Sequence, residues 1–421
     1  MDDFNVVDGQ LCAEQVPLEA IAAAVGTPAY VYSRNTLCSH LRRFREAYAA
    51  LQPKIRYAVK ANSNLALLKI LADEGTGFDV VSRGEITRVL QAGGDPAAID
   101  FAGVGKRRDE IEYALEVGID TFNVESEGEL ELIDRVAREQ GTAARIALRV
   151  NPDVDPETHR YITTGKSENK FGLDVQRARR MCQTMSELSG VRLHGLHVHI
   201  GSQLTQVEPY VEAVRRVLGL ARDIRGFHPA LETINIGGGF GVHYRPNEAP
   251  EMHEFADPLV ALLKDCGFEV HIEPGRLLVA NAGVLLTRVL YVKQGCERRF
   301  IVADAAMNDL LRPSLYSAFH RIEPVAPRDG DTSLADVVGP ICESGDFLGK
   351  ERELPPLEPG DLLCIRTAGA YAFVMASNYN ARPRPVEVLV DGDRFGVVRE
   401  RETVEDMMRG EKTEPAAWER P

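Results

Sequence analysis

The sequence predicts a (β/α)8 barrel inserted into a mostly antiparallel β domain. Three observations predict it. From Lys54 to about residue 282, eight short apolar runs alternate with helical stretches whose apolar positions recur at spacings of three and four. After about residue 283 the texture changes to β runs divided by turn residues, with one helix near the end. A chain of 421 residues is also long for one ordinary domain and short for three.

The eight apolar runs are 55–59, 78–81, 99–102, 119–124, 145–150, 193–200, 232–236 and 268–273. Stretches such as 65–74, 85–92, 108–117 and 127–138 read as the intervening helices, and the eighth run meets a short 277–280 segment. An open doubly wound sheet would show the same alternation, but it binds its ligand mainly at one switch point. A barrel collects residues from many strand ends, and several strands here end on reactive side chains. The later strands read as 284–292, 299–303, 336–339, 362–367, 386–390 and 394–398. Residues 28–32 are strand-like and precede the barrel, so they are expected to join the β domain. The expected boundaries are therefore 1–33 for a segment joining the β domain, 34–282 for the barrel, 283–400 for the β domain and 401–421 for a helix and tail. The polar stretch 411–421 is expected to fray.

Composition narrows the function. Hydrophobic residues make up 44% and charged residues 27%, which fits a globular chain rather than a disordered one. The net charge of -14 argues against nucleic acid or an anionic membrane as partner, because both need a basic face. Seven cysteines at irregular spacing, with no CxxC pair, argue against a disulfide framework or a zinc site. The acidic N-terminus lacks the apolar core of a signal peptide, and no run reaches membrane-spanning length, so the chain reads as cytoplasmic.

The chemistry lies at the strand ends. Strand one closes on Lys60, which is either a rim lysine reaching for water or a Schiff-base lysine partly desolvated to lower its pKa. Strand six carries His197 and His199 on one face. Taken singly, each is a packed core histidine; together they suit a metal, though no nearby carboxylate completes a ligand set, or a flat cofactor on which an imidazole stacks. Strand seven runs into Gly237, Gly238 and Gly239, which is either a flexible turn or a cradle of backbone amides for phosphate. The loop lacks the Walker lysine and the GxGxxG spacing of dinucleotide sites. Strand eight ends on Glu273, which either pairs with Arg276 or serves a protonated ring nitrogen. A lysine, a stackable imidazole, a phosphate cradle and a carboxylate are what pyridoxal phosphate requires.

The motifs YAVKAN (57–62), FDVVSRGE (78–85), HRYITTG (159–165), NKFG (169–172), HVHIGSQ (197–203), GGGFG (237–241) and EPGR (273–276) carry a resemblance. So do MNDLLRPSLY (307–316), GPICESGD (339–346) and GAYAFVMASNYN (369–380). Over about residues 4–400 the chain resembles the fold-type III pyridoxal-phosphate-dependent decarboxylases, which implies a barrel of alanine-racemase type beside the β domain. One departure is Arg83, where that family usually has a small residue, and it bears on local packing at the end of strand two.

The resemblance implies a role for each matching residue. Lys60 carries pyridoxal 5'-phosphate, His199 stacks on its ring and Glu273 pairs with its nitrogen. Ser202, Gly237, Gly238, Gly239, Gly275, Arg276 and Tyr371 lie around the phosphate or the adjacent substrate. Arg276, Arg312 and Tyr316 hold a distal carboxylate, and a guanidinium does so with two hydrogen bonds. Arg312 and Tyr316 otherwise read as charged and polar groups at the surface, and Cys342 as a buried small hydrophobe. Under the resemblance Cys342 protonates the carbon that lost carbon dioxide and Glu343 binds the distal ammonium, both in the site of a partner subunit, which implies a homodimer. No metal is implied. The implied reaction converts meso-2,6-diaminopimelate to L-lysine and carbon dioxide. The alternatives are a decarboxylase of another basic amino acid (D-ornithine, D-lysine, carboxynorspermidine) and an inactive decarboxylase-like regulatory binding protein.

Overall fold

The computed structural model describes residues 2–155, 170–295, 298–415 and 417–418. The motif at 159–165, Asn169, Cys296 and parts of the 411–421 tail lie outside the described residues. The chain divides into two compact units. One comprises Met1–Phe4, Ser33–Gly283 and Arg366–Val374; the other comprises Asn5–Tyr32, Val284–Ile365 and Met375–Pro421.

The first unit is a closed barrel of eight parallel strands. They are Lys54–Ala58, Gly77–Val80, Ile99–Phe101, Thr121–Val124, Ala144–Asn151, Val191–His197, Thr233–Asn235 and Glu269–Ile272. Each pairs with its sequence neighbours, and strand eight closes on strand one through His271–Lys54 and Ile272–Ile55. The expected helices are present, and polar side chains cap several: Ser82 accepts from Glu85 N and Ser126 from Glu129 N. Strand six stops at His197, three residues before the expected end. Val198 N still donates to Asn235 O at 2.9 Å, but His199 and Ile200 lie beyond the ladder.

An aromatic cluster fixes the loop after strand seven. Phe240 is 1% exposed and meets Phe44, Tyr210 and Phe255 edge-on at 5.4–5.6 Å between ring centroids. Burying such a ring contributes about 1.5–3 kcal/mol. Tyr210 Oη donates to Ile236 O at 3.0 Å, which ties the cluster to the last residues of the strand. The stretch Arg366–Val374 packs with the barrel: Asn62 Nδ2 donates to Gly369 O and Tyr371 N to Ala61 O.

The second unit is built on a sheet in the order Phe347–Leu354, Ser333–Val338, Arg299–Ala303, Gly283–Gln294, Ala29–Ser33, Val386–Asp391, Arg394–Arg399. Most of its ladders are antiparallel, and Arg299–Ala303 beside Ser333–Val338 is parallel. Phe347–Leu354 escapes the apolar pattern because charged side chains cover aromatic ones: Lys350 lies 4.0 Å from the Phe347 ring and Arg352 4.0 Å from that of Phe319. A small sheet of Phe4–Val7, Gln10–Ala13 and Val16–Pro17, and the helix Arg312–Tyr316, are further elements that periodicity did not indicate.

Candidate active site

Four barrel strand ends bring the sequence-selected groups together. Lys60 follows strand one in a short turn and its Nζ pairs with Asp79 of strand two. The lysine side chain keeps 36% of its surface, whereas the Asp79 side chain is fully buried. Burial would lower the Lys60 pKa, but the charges of Asp79 and Glu273 outweigh it and the net direction is upward. Burial, the Glu273 charge and the Lys60 charge compete at Asp79, and its carboxyl is pushed up to about 8.

Glu273 does not pair with Arg276. Its Oε2 lies 3.2 Å from His197 Nε2, and its Oε1 accepts from Asn235 Nδ2 at 2.7 Å. Burial would raise its pKa; the His197 hydrogen bond and the Lys60 charge win and hold it well below the usual carboxylate range. The carboxylate missing beside the histidines in sequence is thus supplied by strand eight. Among the described residues no group of three His, Cys, Asp or Glu could hold a metal ion. Burial, then the charges of Arg149 and Lys60, push His199 well below an ordinary imidazole, so it is neutral at pH 7.

The triglycine loop needs its glycines. A Cβ on Gly237 would lie 2.3 Å from Val198 O, and one on Gly238 would lie 2.0 Å from Glu273 O. The loop therefore sits directly on the backbones of strands six and eight, and Gly238 N donates to His199 Nδ1 at 3.3 Å. Arg276 is 6% exposed; it donates to Tyr244 Oη at 2.5 Å and Ser202 Oγ at 3.0 Å. Its guanidinium lies 4.7 Å from the Tyr371 ring centroid. Tyr371 adopts φ 53°, in the left-handed region that a tyrosine enters only when its surroundings hold it there. Gly275 caps the short helix Arg276–Val279.

The remaining residues lie in the β unit. Arg312 is 5% exposed, so it is not surface charge, and it donates to His320 Nε2 at 2.9 Å. Tyr316 ends the same helix. Cys342 is exposed, unlike the other described cysteines, so it is not a packed small hydrophobe. Its N donates to Asn380 Oδ1 at 2.9 Å. Glu343 accepts from Tyr379, whose phenol is pushed up by that hydrogen bond. Arg83 lies outside this constellation, 4.5 Å over the Tyr113 ring.

Sequence reasoning gave no role to Asp79, Asn235 or Tyr244, and read His197 as a packed residue, a metal ligand or a stacked ring rather than as the partner of Glu273. Asp79 had one signal, a lone charged residue inside an otherwise apolar strand.

A barrel that surrounds one accessible lysine with two buried carboxylates, a neutral imidazole and a glycine cradle fits pyridoxal phosphate. The ionised Glu273 matches a protonated ring nitrogen, and Asp79 Oδ1, His197 Nδ1 and Arg276 Nε have no hydrogen-bond partner among the described residues. The sequence model of the pyridoxal-dependent decarboxylase, pyridoxal binding domain, matches residues 34–280. The diaminopimelate decarboxylase of Pseudomonas aeruginosa is 50% identical over 415 residues, 99% of this chain and 100% of that one. That of Vibrio cholerae is 48% identical over 417 residues, with the same coverage. Among solved structures, diaminopimelate decarboxylase from Helicobacter pylori complexed with L-lysine superposes with a TM-score of 0.90 at 42% identity, covering 93% of this chain and 98% of that one. The chain belongs to the diaminopimelate decarboxylase family of pyridoxal-dependent decarboxylases, and its cofactor is pyridoxal phosphate.

Proposed function

We propose that this chain removes carbon dioxide from meso-2,6-diaminopimelate and releases L-lysine, the last step of lysine synthesis. The observation that carries the reading is Glu273: a buried carboxylate, held ionised within the field of Lys60 at the mouth of the barrel. Pyridoxal phosphate, when bound, supplies the electron sink that lets the bond to the departing carboxylate break. An ionised carboxylate keeps the ring nitrogen protonated, which an arginine would not do. The substrate follows from the relatives, which bear the name diaminopimelate decarboxylase over essentially their full lengths.

The chain's residues divide the remaining work. Lys60 presents its amine for the covalent link to the cofactor. His199 offers a flat uncharged face to the ring. The loop of Gly237, Gly238 and Gly239, with Ser202 and Gly275, binds the phosphate; within it the Gly237 amide serves Asn235 and the Gly238 amide serves His199. Arg276, braced by Tyr244 and Tyr371, serves the phosphate or the substrate beside it, as does the Tyr371 hydroxyl. Arg312 and Tyr316 hold the distal carboxylate, which ornithine and lysine lack, and Glu343 holds the distal ammonium. The distal, L-configured end is retained and the D centre reacts. Cys342 delivers the proton that replaces the carboxylate; its exposure is compatible with action in the site of a second copy.

The working unit in this reading is a cytoplasmic homodimer. Among the described residues no helix is long and apolar enough to cross a membrane. Mixing Lys60→Ala with Cys342→Ala protein, each inactive alone, should restore part of the activity through mixed dimers. No recovery after verified subunit exchange would remove the shared site.

The decisive assay offers meso-diaminopimelate, D-ornithine, D-lysine and carboxynorspermidine separately and measures released carbon dioxide. Diaminopimelate should be turned over with the highest kcat/KM, and preference for any of the others would overturn the substrate. Lys60→Ala should lose about 10⁴-fold or more in rate, together with the visible cofactor band. A wild-type protein with no such band would point instead to a silent regulatory relative.

A further inference from the structure

We infer that Asn235 is a positioning residue whose single amide ties the carboxylate for the ring nitrogen to the backbone of the phosphate loop, an assignment that rests on the cofactor reading above. Asn235 ends strand seven and is 3% exposed. Its Nδ2 donates to Glu273 Oε1 at 2.7 Å and lies 3.4 Å from Asp100 Oδ2. Its Oδ1 accepts from Gly237 N at 2.9 Å. Two carboxylates face one end of the amide and an N–H faces the other, so only one orientation of the group satisfies its neighbours.

The surrounding backbone makes this link stiff. Val198 N donates to Asn235 O at 2.9 Å, and Glu273 N donates to Gly237 O at 2.8 Å. His197 Nε2 meets the other Glu273 oxygen at 3.2 Å, so the carboxylate is oriented from both sides. A cofactor gripped at its ring nitrogen and at its phosphate needs those two anchors at a fixed separation. Asn235 touches both anchors and is not itself a group that reacts. Aspartate, nearly the same shape, lacks the N–H donors and would set another carboxylate against Glu273 and Asp100. Serine is uncharged but too short to reach both neighbours.

The test separates the two anchors by ligand. Apo protein is prepared for wild type, Asn235→Asp and Asn235→Ser, and titrated with pyridoxal phosphate, with pyridoxal and with inorganic phosphate. Binding is followed by absorbance for the first two and by thermal shift for the third. Both variants should bind pyridoxal phosphate about 10- to 100-fold more weakly, the scale seen when a group that orients a ligand-holding residue is removed. Both should also weaken pyridoxal and phosphate individually, since one amide serves both anchors. Weakening of only one ligand would overturn the bridge, as would unchanged binding of all three. Unfolding of both apo variants would make Asn235 a structural residue and overturn the assignment equally. Failure of the wild type to bind pyridoxal phosphate would sink the cofactor reading instead, so the two failures are distinguishable.

Discussion

The two ends of the barrel interior both bury charge, and they treat it in opposite ways. At the N-terminal end Arg56 meets Asp120 at 2.6 Å and Asp100 at 3.5 Å, and Arg145 meets Asp120 at 3.5 Å. His271 lies between Asp100 at 3.4 Å and Glu269 at 2.9 Å. Burial would push His271 down, but the hydrogen bonds to the two carboxylates and the Asp100 charge raise it to about 9, so it is a cation at pH 7. Three cations thus face three carboxylates. At the C-terminal end Lys60 pairs with Asp79, whose carboxyl is pushed up to about 8, Glu273 is held ionised beside His197, and His199 is neutral. The N-terminal end is balanced and built for stability; the C-terminal end holds Glu273 ionised beside a carboxyl, Asp79, that titrates near neutrality. Barrels of this type place catalysis at the C-terminal face and stability at the N-terminal one.

Removing a charge from the balanced end should have the largest effect on folding. Arg56→Met leaves Asp100 and Asp120 without their shared partner and should destabilise the apo protein by about 3–5 kcal/mol. Chemical denaturation would measure this, alongside a cofactor titration that should match wild type. Weak cofactor binding with unchanged stability would erase the division between the two ends.

The pH profile sharpens the same contrast. His271 has a folded pKa above its ordinary 6.5, so its contribution is fully present below about 6.5 and is lost as pH rises through about 9. The shift corresponds to something on the order of 3 kcal/mol. Apo wild type should therefore lose Tm steadily between pH 6.5 and 9.5, and His271→Gln should flatten that slope. An identical slope in both proteins would assign the pH dependence to other groups.

What the sequence made legible follows the same division. The eight barrel strands announced themselves because apolar residues recur in short runs bounded by turns or caps. Lys60, Gly237–Gly239 and Glu273 were legible because they close strands, where a reactive group interrupts an apolar run. Asp79 was not, because it sits inside the fully buried run Gly77–Val80 and meets Glu273's field only once strands eight, one and two are neighbours in a closed barrel. Asn235 closes its strand, but the run is short and mixed, Thr-Ile-Asn, so an amide there does not stand out. Composition pointed the wrong way for Cys342, whose thiol is exposed, and for Arg312, which is buried, because both depend on how the β unit packs. The charged strand Phe347–Leu354 hid for a third reason: its lysine and arginine stems cover aromatic rings, a use of charged side chains that periodicity does not register.

Asp79→Asn carries the smallest expected effect on stability and is the most direct probe of the C-terminal end. The substitution removes an ion pair with Lys60, which costs stability, and a like-charge neighbour of Glu273, which restores it. Lys60 keeps the Glu273 charge within range, so it is not stranded. The two effects oppose each other, and apo stability should change by less than about 1 kcal/mol, against several for Arg56→Met. The amine would also lose its largest charge partner, so the Lys60 pKa should fall and free pyridoxal phosphate should react with the apo variant faster than with wild type at pH 7. Stopped-flow absorbance on mixing, paired with denaturant melts, reads both quantities. A loss of 3 kcal/mol or more would make Asp79 as structural as Arg56, and the two ends of the barrel would then differ in position rather than in purpose.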